Sequence, residues 1–356
     1  MLADLQPEFE DRLRFAMLLS ELSVRFVSVT AERIDGAIVS TQREIAKLLD
    51  LERSPLANGR VTSVLSLRLA KGIFAKPGSY PAIVRFGNAD PKINSDFKAD
   101  ARSLSFSVDL SCEGRVVPDA NVSRQDFSLQ NTTTLPINDA PAFLAIMKLL
   151  TAANPAAGLW SLPFKDKLRV VRTLALVQVQ SHQKIEPYQR LRYWSNVPFR
   201  HGPKDIVKQS ATPFSGNPGR PLNRSNPNAL QDELIRHLKE DGEMSGFDFG
   251  LQFLDAARMT YWGKSHDADF WTENASLEWN EAQAPFHTVA RLTLLANSHL
   301  VKEDADAAYF DVTGHATSAS TPVGSINRAR WLGEVASRKA RERIEHELGA
   351  AASGGV

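Results

Sequence analysis

From Arg60 onward the apolar residues of this chain stop recurring at helical steps and begin to alternate. Val61, Ser63, Leu65 and Leu67 make one alternating run, and residues 81–87 and 104–110 make two more. A strand sends successive side chains to opposite faces, so runs of this kind read as strands with one buried face. Lys76-Pro77-Gly78-Ser79 and Asn88-Ala89-Asp90-Pro91 supply turn chemistry between them. Further strands are expected at residues 191–196, 206–210, 248–254 and 288–295. Helical spacing is seen at residues 8–50 (Phe9, Leu13, Leu18 and Leu22, then Ile45, Leu48 and Leu49), 138–153, 229–240 and 326–348. Asn138 or Asp139 would cap the second of these, with Pro141 in its first turn. Many non-adjacent strands, helices at both ends and no strand–helix–strand alternation give an α+β fold, with a closed antiparallel barrel as one form of it.

Arg85 is the most demanding residue in this pattern. Placed between Val84 and Phe86 in an apolar run, its guanidinium must reach something polar, and a buried one wants an anion. Either a structural Asp or Glu or a ligand would serve.

The bulk charge excludes several partners. Lys+Arg 42 against Asp+Glu 41 leaves +1, which gives no global reason to expect nucleic acid or an anionic membrane surface. Cys112 is the single cysteine, so neither an internal disulfide nor a thiolate cluster can form. No apolar stretch approaches a membrane span. The acidic start lacks a secretory plan, and a cytoplasmic location is expected. There is no GxGxxG, P-loop or GxSxG motif, and no histidine pair at metal-ligand spacing. His201, before Gly202, reads as a surface turn residue. In the basic stretch 328–343 the interleaved Glu334 reads by default as a solvated partner of Arg330 or Arg338.

A second reading of these residues comes from their order. Gly72-Ile73-Phe74-Ala75, then residues 80–88 ending Val84-Arg85-Phe86-Gly87-Asn88, then Ala101-Arg102-Ser103-Leu104-Ser105-Phe106, then Asp126-Phe127-Ser128-Leu129-Gln130-Asn131-Thr132 follow one another. Residues 193–204 and 248–254, and finally 327–341, complete the series. This series resembles the catalase superfamily, in particular its small catalase-related haem proteins. The resemblance implies a closed antiparallel β-barrel of about eight strands with flanking helices. Residues 1–50 would be an N-terminal helical arm and residues 51–348 the barrel domain with its haem-side C-terminal helix, leaving 349–356 as a flexible tail. Haem b would lie between a barrel face and that helix. Arg85 and Arg341 would pair with its propionates, since guanidinium groups bind carboxylates bidentately and stay charged when buried. Arg330 would stand beside the axial ligand, and Asn131 on the distal face, where an amide can hydrogen-bond a peroxide oxygen.

The departures are as informative. Arg330 and Arg341 stand four residues before and seven residues after a position the family gives to an iron-binding tyrosine, and here that position is Glu334. Ser54 occupies the place of the distal histidine, Gly87 that of its buttressing serine, and no histidine precedes His182. Peroxide cleavage needs a base that moves a proton between two oxygens, which a serine hydroxyl cannot supply unaided. The expectation is a haem-binding protein with poor or no hydrogen peroxide dismutation. Glu334 would be an unusual iron ligand or an acid/base group, and the chemistry would fall on an organic hydroperoxide or another small molecule. The alternative is a haem-free pseudo-catalase that binds another anionic apolar ligand or serves as a scaffold. The family implies a homodimer or homotetramer.

Overall fold

The computed structural model describes residues 45–53, 68–75, 78–88, 94–111, 122–151, 159–160, 162–299 and 309–330. Ser54, Glu334 and Arg341, the expected strand at 61–67, most of the N-terminal arm and the tail lie outside these residues.

The alternation seen in the sequence becomes one antiparallel sheet. Its strands are β1 (Ile45–Arg53), β2 (Ala82–Asn88), β3 (Arg102–Asp109), β4 (Arg124–Gln130), β5 (Tyr193–Trp194), β6 (Phe199–His201), β7 (Asp205–Pro213) and β8 (Ser245–Phe253). After a separate short hairpin of β9 (Thr260–Tyr261) and β10 (Lys264–Ser265), β11 (Phe286–His299) completes it. The nine strands of the sheet run in the order β5-β4-β3-β2-β1-β11-β8-β7-β6. On its inner face Val84 lies opposite Phe106 and Phe106 opposite Phe127, while Phe86 lies opposite Leu104 and Leu104 opposite Leu129. All six are buried, and they meet Phe247, Phe249 and Leu251 from β8 in one core. Phe106 and Phe127 stack at 4.5 Å, and Phe249 meets Phe127 edge-on at 5.2 Å, the geometry that suits ring quadrupoles.

Seven of the strands are seven to fourteen residues long, and they curl until β4 approaches β7. Among the described residues only the two-residue β5 bridges that gap, through Gln130 opposite Trp194 on one side and Ala211 and Ser210 on the other. The closed barrel of about eight strands is thus corrected to a curled half-barrel. The reason is local. Just past β5, Asn196 takes φ 57° and its amide bonds the Thr132 backbone oxygen, which turns the chain out of the ladder.

The expected helix does not extend through residue 50. Residues 45–53 form β1, paired to β2 on one edge and β11 on the other, so the two open ladders override local spacing. Helix α1 (Ala140–Thr151) begins as expected: the Asp139 carboxylate accepts from Ala142 N at 2.8 Å, and Pro141 sits in the first turn. Helix α2 (Phe164–Ser181) packs on α1 through Val170. Helix α3 (Ala229–Ile235) runs on into a π-turn, Arg236–Glu240, and α4 (Ala268–Glu273) is capped by Asp267. A second apolar cluster, built on Met259, Trp271, Leu277 and Trp279, covers the outer side of β7 and β8. Gln252 fastens it there by donating to the Trp279 and Ala284 carbonyls, each at 2.7 Å. Among the described residues no helix is long and apolar enough to cross a membrane.

Candidate functional site

The outer face of β2, β3 and β4 differs in chemistry from the core behind it. Directly paired residues of an antiparallel sheet share a face. Arg85 lies opposite Ser105 and Ser105 opposite Ser128, while Gly87 lies opposite Ser103 and Ser103 opposite Gln130. The Ser105 and Ser128 hydroxyls stand 3.5 Å apart. Trp194 extends this row beyond Gln130. The result is a floor of small and polar side chains with one guanidinium in it.

Residues 309–315 cover part of this floor. The Asp126 carboxylate, on the outer side of β4, accepts from Asp311 N at 2.7 Å and meets His315 Nδ1 at 2.8 Å, while Asp126 N donates to the His315 carbonyl at 2.9 Å. Arg124 closes on the same ring, with Nε 3.1 Å from His315 Nδ1 and Nη2 3.2 Å from Nε2. Arg124 also lies over the Tyr309 ring at 4.6 Å. On the neighbouring strand the Arg85 guanidinium lies over the Phe310 ring, also at 4.6 Å, a cation–π contact.

The residues expected at the site fall in different places. Arg85 is on the floor. Asn131 is buried just beyond β4, and its side-chain oxygen accepts from Arg102 N at 2.7 Å while its own N–H donates to the Arg102 carbonyl at 2.9 Å. It therefore extends the β3–β4 ladder, and the amide side chain sharing a face with Arg85 is that of Gln130. Arg330 is half-buried on a helical stretch, residues 325–330. Gly324, at φ 92°, lets that stretch start close against the Thr272 carbonyl. Asn327 donates to the Pro198 and Val323 carbonyls at 2.9 and 2.8 Å, and Arg328 grips Glu273 through both guanidinium nitrogens at 3.0 and 2.6 Å. Sequence reasoning missed Gln130, Trp194 and the Asp126–His315 pair. Strand alternation counted back from Arg85 and across two ladders is the signal that finds the first two. No local pattern announces the third, whose partners are 189 residues apart.

His201 is also corrected. It is buried, not at the surface, with Nε2 3.0 Å from the Leu69 carbonyl, and burial pushes its pKa down. Arg102, a second arginine on these strands, is 3% exposed and internally satisfied, donating to Asn88 Oδ1 at 2.8 Å and to the Asp96 carbonyl at 2.5 Å.

Whether this face suits haem can be asked of its own atoms. Small side chains at Gly87, Ser103, Ser105 and Ser128 suit a flat group, and Arg85 supplies a cation for a carboxylate. The buried Trp194 Nε1–H has no hydrogen-bond partner among the described residues, a donor whose isolation costs about 1–3 kcal/mol unless something accepts from it. These residues fit the edge and carboxylates of such a group. The positions expected to face its iron, Ser54 and Glu334, lie outside the described residues. Among the described residues no three His, Cys, Asp or Glu side chains are grouped to hold a metal ion.

The sequence matches no protein-family model and no curated protein. The fold does have relatives. It is similar to a fungal catalase, with a TM-score of 0.58 and 14% identity over 82% of this chain and 57% of that one. Catalase A from Saccharomyces cerevisiae gives 0.56 and 14% over 85% and 60%, and a bacterial catalase 0.57 and 14% over 86% and 57%. The chain thus spans less than two thirds of the length of these catalases, with which it shares a fold.

Proposed function

We propose that this chain is a haem-binding protein of catalase-like fold that dismutes hydrogen peroxide poorly and acts, where it acts, on an organic hydroperoxide or another small molecule. The support is Arg85: a cation set among serines on one outer face of a sheet that curls as catalase sheets do. Haem b, when bound, would supply the iron at which a peroxide bond is cleaved. Arg85 and Arg341 would hold its propionates, and Glu334, with Arg330 beside it, would hold the iron. Gln130, rather than Asn131, would present an amide to the distal side, because Asn131 spends its oxygen on Arg102 N. Ser54 would provide no base, and no histidine lies upstream of His182 to replace it, so proton transfer between peroxide oxygens would be slow. A homodimer or homotetramer goes with this reading, in the cytoplasm.

One observation favours the second reading, a haem-free binder of an anionic apolar ligand. Phe310 already lies on the Arg85 guanidinium, so part of the floor is filled by the protein itself. A visible spectrum of protein made with added haem separates the two. A Soret band at one haem per chain, shifted or lost in Glu334→Ala and weakened in Arg85→Leu, is the expected result. No stoichiometric band would leave the haem-free reading.

A further inference from the structure

A second concave site lies between the segment that follows α2 and the loop that joins β7 to α3. It is a cleft of about 540 Å³, lined by Lys184, Arg190, Arg220 and Arg224 with Glu186 as its one acid and Phe97 on one side. That volume is in the range of small-molecule sites, roughly 300–1,000 Å³.

The walls are built to stay in place. Gln189 Nε2 donates to the Pro218 carbonyl at 3.1 Å, and Asn217 Nδ2 donates back to the Gln189 carbonyl at 2.6 Å. Arg220 N donates to the buried Glu233 carboxylate at 2.9 Å. Gly219 allows the close approach: a Cβ there would fall 2.6 Å from Arg190 Cδ and 3.1 Å from Pro187 Cγ. Arg190 is thereby laid along the wall.

The charges of this cleft do not balance. Lys184 pairs with Glu186, and Arg220 with Asp241 at 3.3 Å. Arg190 and Arg224 have no acidic partner among the described residues; Arg224 lies 5.7 Å over the Phe97 ring. Nearby Arg236, by contrast, is saturated by Glu233 and Asp241. Two guanidinium groups without an acidic partner among the described residues line one concave surface, which favours positive potential there, and such groups match the oxygens of phosphate. Pro187, Pro221 and Leu222 add apolar wall beside them.

We infer that this cleft binds a phosphorylated small molecule, with its phosphates at Arg190 and Arg224 and its apolar portion against Pro187, Pro221 and Leu222. A nucleic-acid strand fits less well, because the cations are gathered in one cleft on a chain of net charge +1 and form no extended track. This site is independent of the Arg85 face, so its test does not depend on haem. Calorimetric titration of the full chain with adenosine triphosphate and with inorganic pyrophosphate, at low and moderate salt, reads it directly. Saturable one-to-one binding of the triphosphate is expected, tighter than that of pyrophosphate. Arg190→Gln and Arg224→Gln should each weaken it about tenfold, with unchanged melting temperatures because both side chains lie on the surface of the fold. Absence of saturable binding by either probe, or equal affinity in both variants, would overturn the assignment. Tighter binding of a single-stranded oligonucleotide that also depends on Arg190 would reassign the cleft to nucleic acid.

Discussion

Asp126 is a buried carboxylate on the outer side of β4, and both Asp311 N and His315 Nδ1 reach its Oδ2. Neither donor is close to it in sequence. The single acid therefore fastens residues 309–315 onto the floor that carries Arg85. Asp126→Asn keeps the volume but removes the charge that strengthens both bonds. A loss of about 1–3 kcal/mol is expected, readable by urea denaturation, with the Phe310 contact to Arg85 weakened as the segment loosens. An unchanged unfolding midpoint would mean that apolar packing alone seats the segment. At this scale the sequence was partly legible. Arg85 declares itself, because an arginine between two core residues must sit on the opposite face from them. Asn131 stands one residue beyond Gln130, and a step of one residue along a strand changes the face. Which of Gln130 and Asn131 faces outward depends on the β3–β4 register, and that register is a property of two ladders rather than of one segment.

Among the elements, those whose signal is local came through. The Asp139 cap and Pro141 fix the start of α1, and alternation marks β2, β3 and β8. The stretch that became β1 did not, because its apolar spacing suits a helix while β2 and β11 offer it two sets of backbone partners. Helix α2 was not anticipated either, although Phe164, Leu168, Val171 and Val179 stand at helical spacing. Those residues are exposed, so the pattern does not mark a face toward the core. The β8–β11 ladder shows a further constraint that only packing reveals. Gly246 lies opposite Thr293, and a Cβ on it would come within 2.5 Å of the Leu292 carbonyl and 2.6 Å of Phe214 Cε2. Backbone cannot yield as a flexible side chain does. Gly246→Ala should therefore destabilise the fold by about 2–3 kcal/mol through overpacking. Gly216→Ala, in the loop that follows β7 and with nothing within 4 Å of its Cβ, should be neutral. Thermal melts of the two variants side by side test this, and equal melting temperatures would refute it.

At the scale of the whole molecule, the near-neutral charge and the mixture of helix with antiparallel sheet were readable from composition and pattern. The way the sheet is covered on its outside was not. There the protein places a lysine, Lys208, between β7 and the tryptophan cluster. Lys208 is 4% exposed, its ammonium donates to the Leu277 carbonyl at 2.9 Å, and the Trp279 ring lies 5.1 Å away. Burial lowers its pKa from 10.5 to about 7, against a smaller opposing pull from Glu278. Unfolded, the same side chain would titrate near its ordinary value, about 10.4. Between these two values the unfolded chain holds a proton that the folded chain has released. By linkage, stability then rises with pH across that window, by up to about 1.4 kcal/mol per pH unit. Below about pH 7 both states are protonated, and the full cost of the buried ammonium is borne. Lys208→Met keeps the apolar stem and removes the charge, so it should stabilise the protein most at pH 7 and progressively less toward pH 9. The measurement is the difference in unfolding free energy between wild type and variant at pH 7, 8 and 9. Other titrating groups contribute alike to both proteins and cancel in that difference. A difference that stays constant over this range would mean that Lys208 keeps its proton in the folded state, and that the cluster above it admits water.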